Sequence, residues 1–257
     1  SWSLGRSGTS VFKGFYNLTS GMLSQERRLD IVANNMTNTA TAGYKTDRYT
    51  DSTFEEYLVS RIDQGRTSTQ LGGESYILAP SQVYTDFTQG AFETTGLPLD
   101  FAIQGDGFFA VETADGVAYT RAGNFCLDDE GYLCLAEQGR VLNPEGDPIL
   151  LITDDITADA QGGLYTGDGG LLGQIGVFTF ADNAQLERND QGLFVNGGQP
   201  TGTVGTVVQK ALERSNVDLV QQMVSMMTSQ RALQSAAQVT KIYDEVMTKS
   251  TTNLGQM

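Results

Sequence analysis

The sequence predicts an α+β protein, with N- and C-terminal helices forming a coiled-coil-like stalk and a central, mostly antiparallel β domain. Three observations lead there. All seven methionines lie within residues 1–40 or 215–257. All five prolines, and all but five of the 30 glycines (Gly5, Gly8, Gly14, Gly21 and Gly255), lie between residues 41 and 214. The two ends carry apolar residues at alternating spacings of three and four, whereas the middle carries short runs of period two between turn residues.

In chain order, Ser1–Ser10 resembles a vector-derived leader, so residues 1–11 are set aside. In the first terminal segment, 12–40, an apolar stripe runs through Phe15, Leu18, Met22, Leu29, Val32 and Met36, with Gln25 as its polar interruption. That is a heptad seam, and it predicts a helix from about Phe15 to Asn38. Glu26, Arg27, Arg28 and Asp30 fall off the seam and can stay hydrated. Residues 41–74 read as a linker rich in Thr, Ser, Asp and Gly, with one short helix at about Ser52–Ile62.

Residues 75–211 read as a β body. Gln82–Phe87 alternates, and Leu99, Phe101 and Ile103 form one face of a strand. Gly105-Asp106-Gly107 turns the chain into Phe108–Val111. Asp128-Asp129-Glu130-Gly131 joins two arms of a hairpin, and further short strands follow to Phe180. The final segment, 212–257, opens with a Ser215/Asp218 capping pair. Its stripe is Leu219, Met223, Met226, Gln230, Leu233 and Ala237, extended by Ile242 and Val246. No glycine or proline interrupts Asn216–Asn253. About 30 helical residues span about 45 Å.

The charge and residue inventory narrows the function. The chain has 257 residues, a net charge of −15, no histidine and two cysteines. An acidic surface is a poor match for nucleic acid or anionic lipid, both of which want clustered Lys and Arg. Without histidine there is no Ser-His-Asp or Cys-His constellation, and most zinc sites are excluded. No run of about 18 apolar residues is present to insert in a bilayer.

The acidic turns are the remaining candidates for chemistry: Asp128-Asp129-Glu130, Asp154-Asp155, Asp168 and Asp106. None has the ligand spacing of a calcium loop, and a carboxylate pair for glycoside hydrolysis needs a cleft that spacing cannot show. They read as solvated turns, so no catalytic residue, metal ligand or cofactor is assigned. Cys126 and Cys134 lie on the hairpin arms. A four-residue loop pairing Leu127 with Tyr132 puts them on a diagonal, where a disulfide needs a bulge. Two sequons, at Asn17 and Asn35, fall inside the first helix and read as chance matches.

Three stretches carry a family resemblance. Ala33-Asn34-Asn35-Met36-Thr37-Asn38, with Gly43-Tyr44-Lys45, resembles the N-terminal signature of bacterial flagellar axial proteins. Leu99–Val111, with Tyr119-Thr120-Arg121-Ala122-Gly123-Asn124-Phe125, is similar to the middle signature of their rod and hook branch. Leu212-Glu213-Arg214-Ser215-Asn216-Val217-Asp218, with Ser229-Gln230-Arg231-Ala232, is similar to the C-terminal signature, although Leu233 stands where the family commonly has tyrosine. The length resembles basal-body rod proteins of the distal or proximal type.

The resemblance implies a structural subunit rather than an enzyme. Its terminal helices would assemble with copies of themselves and with other rod and hook subunits. It would leave the cytoplasm through the flagellar export apparatus without a cleaved signal, to work in the basal body. Asn34, Asn35 and Asn38 then join the two stripes as assembly residues. The competing reading is a stand-alone β-rich module that binds cell-wall glycan.

Overall fold

A computed structural model describes residues 4–50, 60–63, 66–70, 82–195, 197–202 and 205–254, and side-chain surroundings for 18–50, 82–195, 197–202 and 205–249. The chain divides into two compact units. One gathers the terminal helices with Asp47–Tyr84, and the other comprises Thr37–Thr46 with Thr85–Asp218.

In the first unit, helix α1 spans Leu4–Thr37 and helix α2 spans Leu219–Leu254. Thr240 Oγ1 approaches Met22 Sδ at 3.9 Å, and Asn35 Nδ2 donates to Gln222 Oε1 at 3.2 Å. One contact pairs an early α1 residue with a late α2 residue, and the other does the reverse, so the helices run antiparallel. The α1 seam behaves as its spacing predicts. Leu18, Met22, Gln25, Leu29, Val32 and Met36 are all at least partly covered, while Glu26, Arg27 and Asp30 are exposed. The side chain of Phe15 lies outside the described residues.

On α2 the covered face differs from the expected stripe. It runs through Gln222, Met226, Ser229, Leu233, Ala236 and Thr240, whereas Leu219, Met223, Gln230 and Ala237 are exposed. A stripe read from apolar residues misses Gln222, which is buried with Asn35 as its hydrogen-bond partner, and Ser229, which is small enough to be buried with its Oγ unpaired among the described residues.

The short helix expected at Ser52–Ile62 falls mostly outside the described residues. Its last part is instead a strand, Ser60–Asp63, paired antiparallel with Arg66–Gln70. Arg61 stands opposite Thr69 in that pair, so cross-strand pairing decides the conformation of these described residues.

The second unit is the β body. Its main sheet orders the strands Glu187–Arg188, Phe194–Val195, Gly116–Thr120, Phe108–Thr113, Gly139–Val141, Leu133–Leu135 and Phe125–Leu127, with Val177–Phe178 also on Phe108–Thr113. Every pairing is antiparallel. Phe109 and Phe108 point to opposite faces, as period two requires. Phe109 enters the main core with Phe101, Ile103, Leu133, Val141, Leu164 and Ile175. Phe108 joins a smaller aromatic cluster, with ring centroids 5.6 Å from Phe87 and 5.7 Å from Phe194. The central strand is thus buried on both faces.

One turn device recurs through the body. Asp128, Asn143, Asp159 and Asn189 each stand three residues before a glycine: Gly131, Gly146, Gly162 and Gly192. Each glycine has positive φ, and its N–H donates to the carbonyl of the Asx residue at 3.0–3.1 Å. The Asx side chain accepts the N–H four residues on, at 2.7–2.9 Å. This is a type I turn closed by a left-handed glycine, the common three-residue hairpin connection. Of the acidic turns, Asp128 is a brace of this kind. Asp128 also receives Arg140 Nε at 2.8 Å.

The device moves the cysteines. The loop has three residues, Asp129–Gly131, in place of the four expected: Asp128 N donates to Tyr132 O at 2.9 Å, Leu127 pairs with Leu133, and Cys126 stands directly opposite Cys134. The diagonal expected from a Leu127–Tyr132 pairing is therefore corrected by one register step.

Candidate assembly site

Within the helical unit, Asn35 is the organising polar group. It is buried, and its Oδ1 accepts from Asp47 N at 3.0 Å while Nδ2 donates to Asp47 O at 2.8 Å. With Gln222 it ties α1, the strand Asp47–Thr50 and α2 together. Tyr49 extends the contact: its hydroxyl donates to Ser24 Oγ at 3.2 Å, and its ring lies 5.7 Å from the Arg28 guanidinium. Asn35, expected as an assembly residue, thus works inside one chain. Asn34 is exposed, and Asn38 forms the turn that follows α1, where its carbonyl accepts from Thr41 N at 3.2 Å.

The outward surface of α2 carries two groups of apolar side chains among polar ones. Leu219, Val220, Met223, Val224 and Met227 are exposed near its start, and Val239, Ile242, Val246 and Met247 further along. Five such side chains within nine residues form a contiguous patch of the kind that marks an interface.

A second arrangement lies wholly within the β body, where the chain leaves α1 and where it heads into α2. Lys45, Arg121 and Glu213 meet there. Glu213 Oε1 pairs with Lys45 Nζ at 2.5 Å and Oε2 with Arg121 Nη1 at 3.1 Å, and none of the three side chains is more than 4% exposed. Further hydrogen bonds surround the three, although Arg121 Nε is buried without a partner among the described residues. Lys45 Nζ donates to Thr88 O at 2.8 Å, Gly90 N donates to Glu213 Oε1 at 2.9 Å, and Arg121 Nη2 donates to Gly105 O at 2.7 Å. Burial pushes the Lys45 amine below its ordinary value, and the Glu213 carboxylate only partly offsets this.

Asn216 closes the arrangement. Its Oδ1 accepts from Thr46 N at 2.7 Å and Thr46 Oγ1 at 2.8 Å, and its Nδ2 donates to Asp86 O at 2.8 Å. Gly43 N donates to Glu213 O at 2.7 Å. Gly43 has φ of 68°, and a Cβ there would be driven into the backbone of Arg121 and Ala122. Glycine is required on both counts. The segment read from composition as the start of a linker, 41–46, is therefore a packed part of the body.

Lys45, Arg121 and Glu213 each belong to a different one of the three signature stretches. None was picked out by sequence reasoning. The available signal was three charged residues, each embedded in an apolar or glycine-rich motif.

Family comparisons divide along the same lines. Residues 15–45 match the model described as "Flagella basal body rod protein", residues 102–218 the "Flagellar hook protein FlgE/F/G D1 domain", and residues 208–254 the "Flagellar basal body rod FlgEFG protein C-terminal". The matched stretches are thus those of the rod-and-hook class. Among individual relatives, FlgG of Bacillus subtilis is 33% identical over 92% of this chain and 97% of its own. FlgF of Mesorhizobium japonicum is 33% identical over 86% and 89%, and the hook-basal body complex protein FlhO of B. subtilis 28% over 96% and 100%. The chain belongs to the family of flagellar basal-body rod proteins. Such end-to-end similarity does not favour the glycan-binding reading.

Proposed function

We propose that this structural rod subunit polymerises with copies of itself, through its terminal helices, into the helical axial tube that carries torque from motor to hook. The observation that carries the reading is the exposed apolar face of α2. Within one chain Gln222, which meets Asn35 of α1, Met226 and Ser229 are at least partly covered, whereas Leu219, Val220, Met223, Val224 and Met227 are exposed. Burial of such side chains is worth about 1.5–3 kcal/mol each, so a second copy seated there supplies the driving force. A repeated contact that does not close on itself gives an open helical filament.

Export through the flagellar secretion channel, without a cleaved signal, is part of the same proposal. So is contact with neighbouring rod and hook subunits. In this reading the Lys45–Arg121–Glu213 cluster, with Asn216, holds both exits of the body in place, so that load on the helices is passed to the body.

The test is Met223→Asp in the full chain. It places a charge on the exposed face and leaves the described contacts between the helices intact. The expected result is an unchanged melting midpoint for the isolated protein with loss of polymerisation, read by sedimentation and electron microscopy. Polymers formed as readily as by the parent chain would overturn the proposal.

A further inference from the structure

We propose that Cys126 and Cys134 form an intramolecular disulfide that locks the Phe125–Leu135 hairpin after the chain leaves the reducing cytoplasm. The timing rests on the export reading above; the pairing does not.

Three observations carry it. First, the register sets the two residues directly opposite on adjacent antiparallel strands, with Sγ 3.2 Å from Sγ. Second, the flanking pairs Leu127–Leu133 and Phe125–Leu135 point the other way, with Phe125, Leu133 and Leu135 buried in the main core. The hairpin is thus anchored on one face and presents both thiols together on the other. Third, the Asp128–Gly131 turn fixes the loop length, so no register slip separates them. Among the described residues no cluster of three or more His, Cys, Asp or Glu side chains could hold a metal ion, which leaves oxidation as the shared chemistry of the pair.

The two thiols are not equivalent. Burial, and then the hydrogen bond and charge of Cys126, push the Cys134 thiol up to about 12. Cys134 is therefore protonated at neutral pH. Cys126 borders an open cleft of about 500 Å³, lined by Leu97, Leu99, Phe125 and Ile152, through which an oxidant can reach it.

The order of events follows. Cys126 Sγ gives up its proton and attacks one sulfur of the oxidant's disulfide, whether that oxidant is a small disulfide or a disulfide-bearing oxidoreductase. The other oxidant sulfur leaves as a thiolate and takes up the Cys126 proton. Cys134 then gives up its proton, attacks Cys126 Sγ, and expels the second oxidant sulfur as a thiol. Two S–H bonds become one S–S bond, and the two electrons reduce the oxidant to two thiols. Disulfides persist outside the cytoplasm, where glutathione and thioredoxin no longer reduce them.

The experiment uses the full-length protein with excess oxidised glutathione at neutral pH, followed by alkylation in denaturant and intact-mass measurement. The expected product is a monomer lacking two hydrogens and taking up no alkylating agent. It should melt several degrees above the reduced form, as closing a short loop predicts. Two alkylated thiols, a persistent glutathione adduct or a covalent dimer would each overturn the pairing, and an unchanged midpoint would overturn the lock. Cys134→Ser should take up glutathione at Cys126 and keep it. Cys126→Ser should stay unmodified over the same time, and equal uptake by both variants would refute the order of attack. None of these results depends on polymerisation, so Met223→Asp tests the rod reading separately.

Discussion

Replacing Glu213 by glutamine is the sharpest perturbation of the body. The side chain keeps its size but loses the one negative charge among the three buried groups. At an effective dielectric of about 20, unit charges about 4 Å apart attract by about 4 kcal/mol. Glu213 draws on two such attractions, which offset the several kcal/mol needed to desolvate each ion. Without it, Lys45 and Arg121 remain buried as two cations that repel each other. The expected loss is about 3–5 kcal/mol. Lys45→Met is the contrast. It removes one cation and leaves Glu213 balanced by Arg121, with Thr88 O losing one donor. Its expected cost is about 1–2 kcal/mol.

A pH signature accompanies the difference. A lysine with a lowered folded value disfavours its charged form, so its penalty is present at neutral pH. Stability then rises with pH between the lowered value and the ordinary one. Loss of Glu213, which raises the Lys45 value, should widen that window, whereas Lys45→Met should abolish the contribution. Urea unfolding of the full chain at neutral and alkaline pH reads both quantities. A cost for Lys45→Met equal to that of Glu213→Gln would refute the charge argument.

Three further outcomes are expected. Gly43→Ala should destabilise the body by about 2–4 kcal/mol in the same assay, from a strained φ plus a backbone collision; a loss under about 1 kcal/mol would mean the close approach does not matter. Asn35→Leu should loosen the helical unit by about 2–4 kcal/mol, because it leaves both backbone groups of Asp47 without that partner, and faster hydrogen exchange at Asp47–Thr50 is the readout. Desolvation raises the Asp128 value, but hydrogen bonds from Tyr132, Arg140 and Glu130 outweigh it and hold the carboxyl below its ordinary value. Its stabilisation of the hairpin is therefore full above the ordinary carboxylate range and is lost as pH falls through the lowered value. Amide protection at Tyr132, followed between pH 5 and 2 by order of magnitude of the carboxylate range, should fall, and Asp128→Asn should flatten that profile.

How much of this was legible in the sequence varies by element. The α1 seam could be read directly, because Leu18, Met22, Leu29, Val32 and Met36 share one face at helical spacing and that face is covered. The α2 seam was displaced, because Gln222 and Ser229 owe their burial to what faces them. The hairpin was found from Asp128–Gly131, but its register was not, because the left-handed Gly131 lets Asp128 pair with Tyr132 and shortens the loop from four residues to three. Asn35 was legible as part of a signature and not as a structural bond, since its partner Gln222 is 187 residues away.

By itself, then, the sequence determined the division of this protein into helical ends and a β body, and its place among flagellar axial proteins. Those follow from local periodicity, turn chemistry and contiguous motifs. Only the tertiary structure decided that Lys45, Arg121 and Glu213 form one buried cluster and that Cys126 meets Cys134. A charged residue has no local signature of burial. Its partners are set by long-range pairing, and in a low-dielectric interior that pairing determines whether the charge costs stability or supplies it.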